Sequence, residues 1–171
     1  MELVPHVVFL CTGNAARSVM AGAILAAKAE GVKVTTAGTH VIEGQPMSWR
    51  TRDAMTEVGV AAVGHRSKQI ARHDLDADVI VALAREHVQW IRREHPEAAA
   101  RTATLKRLSR DLPHEPGPLA TRIAALHLDA VELEPWEDVD DPAGGDLDTF
   151  VACAREVLHL VDELAPRLDI R

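Results

Sequence analysis

The chain is poor in the residues that build disulfide frameworks, aromatic surfaces and membrane spans. Its 171 residues include two cysteines, no tyrosine and only 3% aromatic residues. Because Cys11 and Cys153 cannot form a disulfide framework, they point to a reducing compartment. The N-terminal stretch MELVPHVVFL has no basic region, and its apolar run is too short for a secretory signal or a membrane span. We therefore expect a cytoplasmic protein.

A surplus of positive charge is also missing. Lysine and arginine number 19 against 26 aspartate and glutamate residues, which gives a formal net charge of −7. Binding to a nucleic-acid backbone needs a basic surface, so this balance argues against nucleic acid as a partner, although it leaves room for a small cationic pocket. With 47% hydrophobic and 26% charged residues, the composition is that of a globular protein, and the length fits one domain over residues 1–171.

Short apolar runs alternate with stretches of helical spacing along the chain. This alternation predicts an α/β fold with three layers, in which a central four-stranded parallel sheet has helices on both faces. Residues 110–139 contain four prolines and show no clear period, so this region gives the weakest prediction. The predicted strands are residues 6–10, 32–37, 77–83 and 103–108, and the predicted helices are 18–31 (ending at Gly31), 46–58, a helix running to about 93, 119–131 and 147–164.

The stretch CTGNAARS follows the first predicted strand and precedes the first predicted helix. In a parallel sheet, ligands bind beyond the carboxyl ends of the strands, where helix N-termini present N–H groups that attract anions. Small residues let the backbone curl around such an anion, and the planar fork of Arg17 suits two oxygens of a tetrahedral oxyanion. The predicted phosphate-binding residues are Thr12, Gly13, Asn14, Ala15, Ala16, Arg17 and Ser18.

Cys11 would lie at the floor of this anion site. A helix N-terminus and a nearby arginine both favour the thiolate, and a thiolate beneath a bound phosphate is an in-line nucleophile. A cysteine at the end of a strand is more often only a small buried hydrophobic residue, and the spacing of Cys11 and Arg17 also occurs by chance. Gly13, Ser18 and the strand–loop–helix context favour the catalytic interpretation.

The segment VVFLCTGNAARSVMA closely resembles the catalytic loop of the low-molecular-weight protein tyrosine phosphatases, with the signature V-x-F-V-C-x-G-N-x-C-R-S-P-M-A. The likeness extends over most of the chain. TAGTH resembles the family's S-A-G-T turn, GVAAVGHRSKQI its G-I-x-x-x-x-H-x-S-R-Q segment, DADVIVAL its third strand, and DPAGGDLDTFVA its D-P loop and last helix.

This resemblance implies a hydrolase that works through a phosphocysteine. Cys11 would attack phosphorus, Arg17 and the loop amides would hold the oxygens, Ser18 would hydrogen-bond the thiolate, and Asn14 would brace the loop. Asp141, which precedes Pro142, would protonate the leaving group and then activate water. An Asp-Pro pair in a glycine-rich loop is also ordinary turn chemistry, and Asp140 is an adjacent competitor for the role.

The chain departs from the family pattern at two kinds of position. Ala16 replaces a second loop cysteine, so the family's usual disulfide with Cys11 cannot form. The aromatic residues that usually flank the substrate ring are absent, since Ala143 follows the D-P pair, which leaves phosphotyrosine specificity open. Trp49 and Trp136 are candidates for the rim of the site, although a lone tryptophan is more often part of the core.

Three functions compete at this point. The first is hydrolysis of a phosphorylated protein or a small aryl phosphate, and the second is arsenate reduction with an external small thiol. The third is binding of an oxyanion without catalysis. Intact Cys11, Arg17 and Asp141 favour hydrolysis. We expect no metal or other cofactor, because the nine histidines form no close ligand set. His65 is expected to be a buried, hydrogen-bonded structural residue near the loop, and Cys153 to pack in the core.

Overall fold

The centre of the protein is a sheet of four parallel strands. The structure, a computed structural model, describes residues 4–62 and 64–168. The strand order is β2-β1-β3-β4, and the predicted four-stranded parallel sheet is confirmed. The strands are β1 (His6–Cys11), β2 (Lys33–Gly38), β3 (Val79–Ala82) and β4 (Thr102–Thr104).

Helices cover both faces of the sheet, as predicted. Alternate residues of β1 point to opposite faces, so Val7 and Phe9 pack in one hydrophobic cluster while Val8 and Leu10 pack in another. The first cluster includes α1 and α6, and the second includes α3. The helices are α1 (Arg17–Lys28), α2 (Trp49–Glu57), α3 (Arg85–Glu94), α4 (Leu105–Asp111), α5 (Leu119–Ala124) and α6 (Leu147–Leu164).

The position of β1 creates the crevice for the site. Its last residue Cys11 pairs with Gly38 of β2, and Leu10 pairs with Ala82 of β3 on the opposite side. The chain therefore leaves β1 toward β2 and later returns to its other side at β3. Ligands bind in the crevice at such a switch point in a parallel sheet.

Three predicted elements need correction. Residues 103–108 are not one strand, because β4 ends at Thr104, whose side chain accepts a hydrogen bond from the Arg107 N–H and starts α4. The predicted helix over 119–131 ends at Ala124, and His127 takes a left-handed conformation with φ 50° before a short 3-10 turn. Residues 46–48 precede α2, because the Ser48 side chain accepts from the Thr51 N–H and caps it.

The remaining helix predictions hold more closely. Helix α6 has the predicted bounds, residues 147–164. The predicted end of α1 at Gly31 is wrong, because the helix ends three residues earlier at Lys28 with Ala29 as its C-cap, and Gly31 follows with φ 72°. The described residues include no helix long and apolar enough to cross a membrane. They also include no cluster of three or more metal-ligating side chains.

Candidate active site

The phosphate loop (residues 11–18) joins the end of β1 to the first turn of α1. The segment after β2 holds it by backbone hydrogen bonds, from Thr39 N–H to the Cys11 carbonyl and from His40 N–H to the Thr12 carbonyl, both 3.0 Å. Gly38 allows this close approach, since a Cβ there would collide with the Thr12 carbonyl and the Asn14 N–H. The loop is thus fixed from one side by main-chain contacts.

A chain of hydrogen bonds leads to the sulfur of Cys11. The Lys68 N–H donates to Asn14 Oδ1 at 3.0 Å, which orients the amide so that Asn14 Nδ2 donates to Ser18 Oγ at 2.9 Å. Ser18 Oγ lies 2.9 Å from Cys11 Sγ. Because the Ser18 oxygen already accepts from Asn14, its own proton is available to the sulfur. The Ser18 hydroxyl is therefore directed at the sulfur of Cys11.

The phosphate loop contains one residue with a left-handed backbone conformation, and two further side chains hydrogen-bond to its carbonyl groups. Asn14 is fully buried with φ 52°, a left-handed conformation that asparagine tolerates better than most residues. His65 Nε2 lies 2.8 Å from the Asn14 carbonyl, and buried Thr51 donates its hydroxyl to the Ala15 carbonyl at 3.1 Å. His65 is hydrogen-bonded beside the loop, as expected, but it is half-buried and not buried. Nothing in the sequence pattern pointed to Thr51.

Arg17 begins α1 and lies almost completely buried beside the cysteine. Its Nη1 donates to the Val139 carbonyl at 3.0 Å. Its Nη2 lies 3.6 Å from Asp141 Oδ2 and 3.8 Å from Glu86 Oε1. One edge of the guanidinium is therefore fixed by the backbone, while the other lies near two exposed carboxylates.

Asp141 lies on the acid loop (residues 138–145), across the cleft from Cys11. About half of its side chain is exposed (53%), and its Oδ1 accepts the Ala143 N–H at 3.0 Å, which closes a turn. Asp141 lines the same cleft as Cys11. The competitor Asp140 lines a neighbouring cleft, which does not include Cys11 and which Arg17 and Asp141 also line.

The active-site cleft has a volume of about 360 Å³. Phe150 of α6 forms part of its wall, and neither Trp49 nor Trp136 lines it. Instead Arg50 stacks on Trp49, with 4.7 Å from its Cζ to the ring centroid, and Arg110 stacks on Trp136 at 4.0 Å. The residues around the cleft are Cys11, Gly13, Ala15, Ala16, Arg17, Ser48, Arg50, Thr51, Asp141, Ala143, Gly144, Gly145 and Phe150.

The second cysteine lies close to the site but inside the core. Cys153 of α6 is buried, as expected, with its Sγ 4.0 Å from the Asp140 carbonyl. Burial raises the pKa of this thiol to about 12, in spite of the opposing effect of Arg17. The Cys153 sulfur is therefore a protonated packing group at neutral pH.

Some contributors to the site carry no signal in the sequence. Phe150 resembles any other apolar residue of α6, and Thr51 and His87 belong to elements far from the phosphate loop along the chain. Their roles arise from packing between elements, which local residue patterns do not encode.

Known proteins share both the sequence and the fold. The profile of the low molecular weight phosphotyrosine protein phosphatases matches residues 6–117. A protein-arginine-phosphatase of Geobacillus stearothermophilus is 32% identical over 165 residues, 95% of each chain. The low molecular weight protein-tyrosine phosphatase A of Mycobacterium tuberculosis is 37% identical over 103 residues, 55% of this chain and 61% of that protein.

Solved structures agree with the sequence comparison. An arginine phosphatase structure from Geobacillus stearothermophilus superposes with a TM-score of 0.76 at 32% identity, covering 96% of this chain and 92% of that one. A low molecular weight protein tyrosine phosphatase from T. tengcongensis gives a TM-score of 0.74 at 29% identity, covering 94% and 97%.

These matches define a cysteine-based protein phosphatase, a phosphoric monoester hydrolase. The chain belongs to the low molecular weight phosphotyrosine protein phosphatase family. The relatives described above give no support to the arsenate reductase alternative.

Proposed function

We propose that Cys11, Arg17 and Asp141 catalyse the removal of phosphate from a phosphorylated protein side chain. The observation that carries this proposal is the convergence of all three residues on one cleft. Cys11 Sγ lies 2.9 Å from Ser18 Oγ, and the Arg17 guanidinium lies 3.6 Å from the Asp141 carboxylate, which lines the same cleft. Nucleophile, oxyanion ligand and proton donor thus face one phosphoryl position.

The reaction proceeds in two displacements. In the first, a bond forms between the Cys11 sulfur and phosphorus, the bond to the substrate side chain breaks, and Asp141 gives a proton to the departing atom. In the second, Asp141 takes a proton from water as the water oxygen bonds to phosphorus, and the phosphorus–sulfur bond breaks. Arg17 binds the equatorial oxygens in both steps, where its fixed fork stabilises the charge of the transition state.

The rim of the cleft favours phosphoarginine as the substrate side chain. Beside the catalytic groups it is built largely from small residues, including Ala15 and Ala143, and it carries the exposed carboxylate of Asp141. A guanidinium bound to phosphorus can hydrogen-bond to a carboxylate, whereas a phenol ring needs apolar walls. The relative that matches 95% of this chain is named a protein-arginine-phosphatase.

Phosphotyrosine is the second candidate, and a separate observation supports it. Phe150 and Arg50 both line the cleft. Phe150 offers ring contact, and a guanidinium such as that of Arg50 can stack on an aromatic face. Two relatives named tyrosine phosphatases match 56% and 55% of the chain, and one named a probable tyrosine phosphatase matches 97% of it.

A direct competition between the two substrates tests the proposal. Peptides of one sequence that carry either phosphoarginine or phosphotyrosine are compared by kcat/KM. We expect phosphoarginine to be preferred by at least about 10-fold, on the scale of one charged hydrogen bond. A preference for phosphotyrosine would reverse the assignment of the side chain and leave the chemistry of Cys11 unaffected.

The variant Ala143→Tyr provides a matched probe of the rim. Only the backbone N–H of Ala143 contacts Asp141, so the new ring adds a wall without removing that contact. A stacking gain of about 1 kcal/mol should raise kcat/KM for the phosphotyrosine peptide several-fold and leave the phosphoarginine peptide without that gain. An unchanged phosphotyrosine rate would mean that another group already supplies the wall.

A further inference from the structure

Residues 83–87, which comprise the link from β3 and the first residues of α3 and are called the β3–α3 turn, contact both loops of the active site. We propose that this turn is a two-armed clamp, in which His87 positions the phosphate loop and Arg85 positions the acid loop. Both are positioning residues, since each acts through a partner on a loop. The inference rests on the function proposed above, because it assigns Asp141 to proton transfer.

The His87 arm is a single hydrogen bond to the phosphate loop. The His87 ring is buried, and its Nδ1 accepts the Ala84 N–H at 3.1 Å, which leaves the proton on Nε2. Nε2 lies 2.9 Å from Thr12 Oγ1 and donates to it. Burial, aided by the charge of Arg17, lowers the pKa of His87 to about 3, so this neutral tautomer persists at neutral pH.

The His87 arm completes the support of Thr12. On the β2 side, the Thr12 carbonyl accepts the His40 N–H, and on the α3 side its hydroxyl accepts from His87. Thr12 directly follows Cys11. The hydrogen bonds from His40 and His87 to Thr12 therefore restrict the backbone conformation next to the nucleophile.

The Arg85 arm is a doubly anchored ion pair. Arg85 N–H donates to Asp138 Oδ1 at 2.8 Å, and its guanidinium donates through Nε at 3.2 Å to either oxygen and through Nη2 to Oδ2 at 2.9 Å. Asp138 opens the acid loop, three residues before Asp141. The next residue, Val139, donates its N–H to the Leu83 carbonyl at 2.8 Å.

The two arms meet again at Arg17. The Val139 carbonyl, on the segment that Arg85 holds, accepts from Arg17 Nη1 at 3.0 Å. Phosphate loop, acid loop and turn therefore form a closed ring of contacts. A displacement of a catalytic group by about 1 Å can slow a reaction about 100-fold. Loss of the His87 arm should therefore impair oxyanion binding by the phosphate loop, and loss of the Arg85 arm should impair proton transfer from the acid loop.

The His87 arm is tested through oxyanion affinity. His87→Ala and Thr12→Val should each weaken competitive inhibition by inorganic phosphate about 10-fold, and should lower kcat/KM for phenyl phosphate and p-nitrophenyl phosphate by one common factor. The double variant should be no worse than either single one, because both remove the same bond. His87→Gln, which keeps a donor, should recover part of the loss. Additive effects of the two substitutions would overturn this arm.

The Arg85 arm is tested through the leaving group. Arg85→Ala and Asp138→Ala should each slow phenyl phosphate about 10-fold and p-nitrophenyl phosphate less than about 2-fold, since nitrophenolate departs without a proton. The rate of Arg85→Lys with phenyl phosphate should lie between those of wild type and Arg85→Ala, because an ammonium cannot reproduce the bidentate pair. Equal losses for both esters, or weaker phosphate inhibition, would overturn this arm.

A measurement independent of turnover separates the clamp from the proposed function. Hydrogen exchange of the Val139 amide should speed up at least about 10-fold in Arg85→Ala, while the amides of Thr39 and His40, which donate to the phosphate loop, keep their wild-type exchange rates. An unchanged Val139 amide would overturn the clamp. If instead Asp141→Asn slows both esters equally, the acid role of Asp141 fails, and the Val139 exchange still decides the clamp.

Two exposed residues serve as matched controls. Arg93 lies on α3 like Arg85, and His159 lies on α6. Neither side chain makes a hydrogen bond or ion pair with another residue in the described part of the chain. Arg93→Ala and His159→Ala should leave phosphate inhibition, both ester rates and Val139 exchange at wild-type values. A loss with either control would show that the effects come from general destabilisation and would overturn the clamp.

Discussion

At the scale of single residues, the sulfur of Cys11 depends on a short relay of polar contacts. The Lys68 N–H orients Asn14, Asn14 donates to Ser18, and the Ser18 hydroxyl faces the sulfur. Because Asn14 Nδ2 donates to the Ser18 oxygen, the Ser18 hydroxyl proton is free to point at the Cys11 sulfur. The Cys11 sulfur is therefore held between the Ser18 hydroxyl and a cleft that Arg17 and Asp141 also line.

Replacing the sulfur removes the nucleophile with little change in volume. In Cys11→Ser we expect an intact fold and retained phosphate binding, with turnover below about one per cent of wild type, because a serine hydroxyl stays protonated. Steady-state hydrolysis measures the loss of turnover, and calorimetry measures the retained phosphate binding. Turnover above that level would take the role of nucleophile away from Cys11.

Asp141 and Asp140 can be separated by chemistry as well as by position. Asp141→Asn should slow phenyl phosphate strongly and p-nitrophenyl phosphate less, because the better leaving group needs no proton. Asp140 lines the neighbouring cleft, so Asp140→Asn is the matched control and should show no dependence on the leaving group. The ratio of the two ester rates in each variant is the measurement. A leaving-group effect in Asp140→Asn would move the acid role to that residue.

At the scale of elements, helix α6 places Cys153 beneath the acid loop without making it a redox partner. The raised pKa of about 12 keeps the Cys153 thiol protonated, and a thiol must ionise to attack an oxidised sulfur. Ala16 supplies no sulfur from the phosphate loop. Oxidised Cys11 therefore has no efficient resolving thiol among the residues that the structure describes.

This arrangement predicts poor recovery from peroxide. After a peroxide pulse, the regain of activity with dithiothreitol should be incomplete, because an unresolved sulfenic acid proceeds to irreversible forms. Cys153→Ala should recover no worse than wild type, and Ala16→Cys should recover better. Full recovery of wild type that is lost in Cys153→Ala would identify Cys153 as a resolving thiol.

At the scale of the whole molecule, a buried ion pair ties β4, α4 and the segment before the acid loop together. Glu137 is fully buried, and Arg107 donates to both of its oxygens at 2.9 Å. Burial alone would raise the pKa of Glu137, but hydrogen bonds from Arg107, the Glu134 N–H and Thr104 outweigh it and hold that pKa below the ordinary value of 4.5. Folding thus favours the ionised carboxylate.

Acid should destabilise the protein in two successive pH windows. His87 stays neutral in the folded state while the unfolded chain binds a proton below its ordinary pKa of 6.5, so stability declines from 6.5 toward its folded pKa of about 3. Glu137 has a lowered folded pKa, so its contribution is present above 4.5 and is lost as the pH falls below that value.

Thermal unfolding as a function of pH distinguishes the two windows. His87→Gln should flatten the decline in Tm between pH 6.5 and 4.5, whereas His159→Gln, an exposed control, should follow wild type. Glu137→Gln should lower the free energy of unfolding by about 2 kcal/mol at neutral pH, because it removes the charge that Arg107 contacts at 2.9 Å and leaves only the more exposed Asp111 and Glu134 as ion-pair partners. A Tm of wild type that stays constant down to pH 4.5 would contradict the assignment to His87.

Local sequence patterns were sufficient to predict strands β1 to β3, the closing helix and the phosphate loop. These features are local: strand β1 is a run of apolar residues, α6 repeats its apolar face every three to four residues, and CTGNAARS contains its small residues, cysteine and arginine within one turn. Local spacing misjudged residues 103–108, because the cap that Thr104 provides and the inward-facing leucines of α4 become evident only in the packed structure.

The tertiary structure alone decided which distant residues complete the site. His87 meets Thr12 across 75 residues and Arg85 meets Asp138 across 53, and neither pair leaves a periodic or spaced signature in the chain. Phe150, rather than either candidate tryptophan, forms the aromatic part of the cleft wall. Such contacts depend on where the sheet brings the ends of its strands together, and that placement follows from the packing of the whole core.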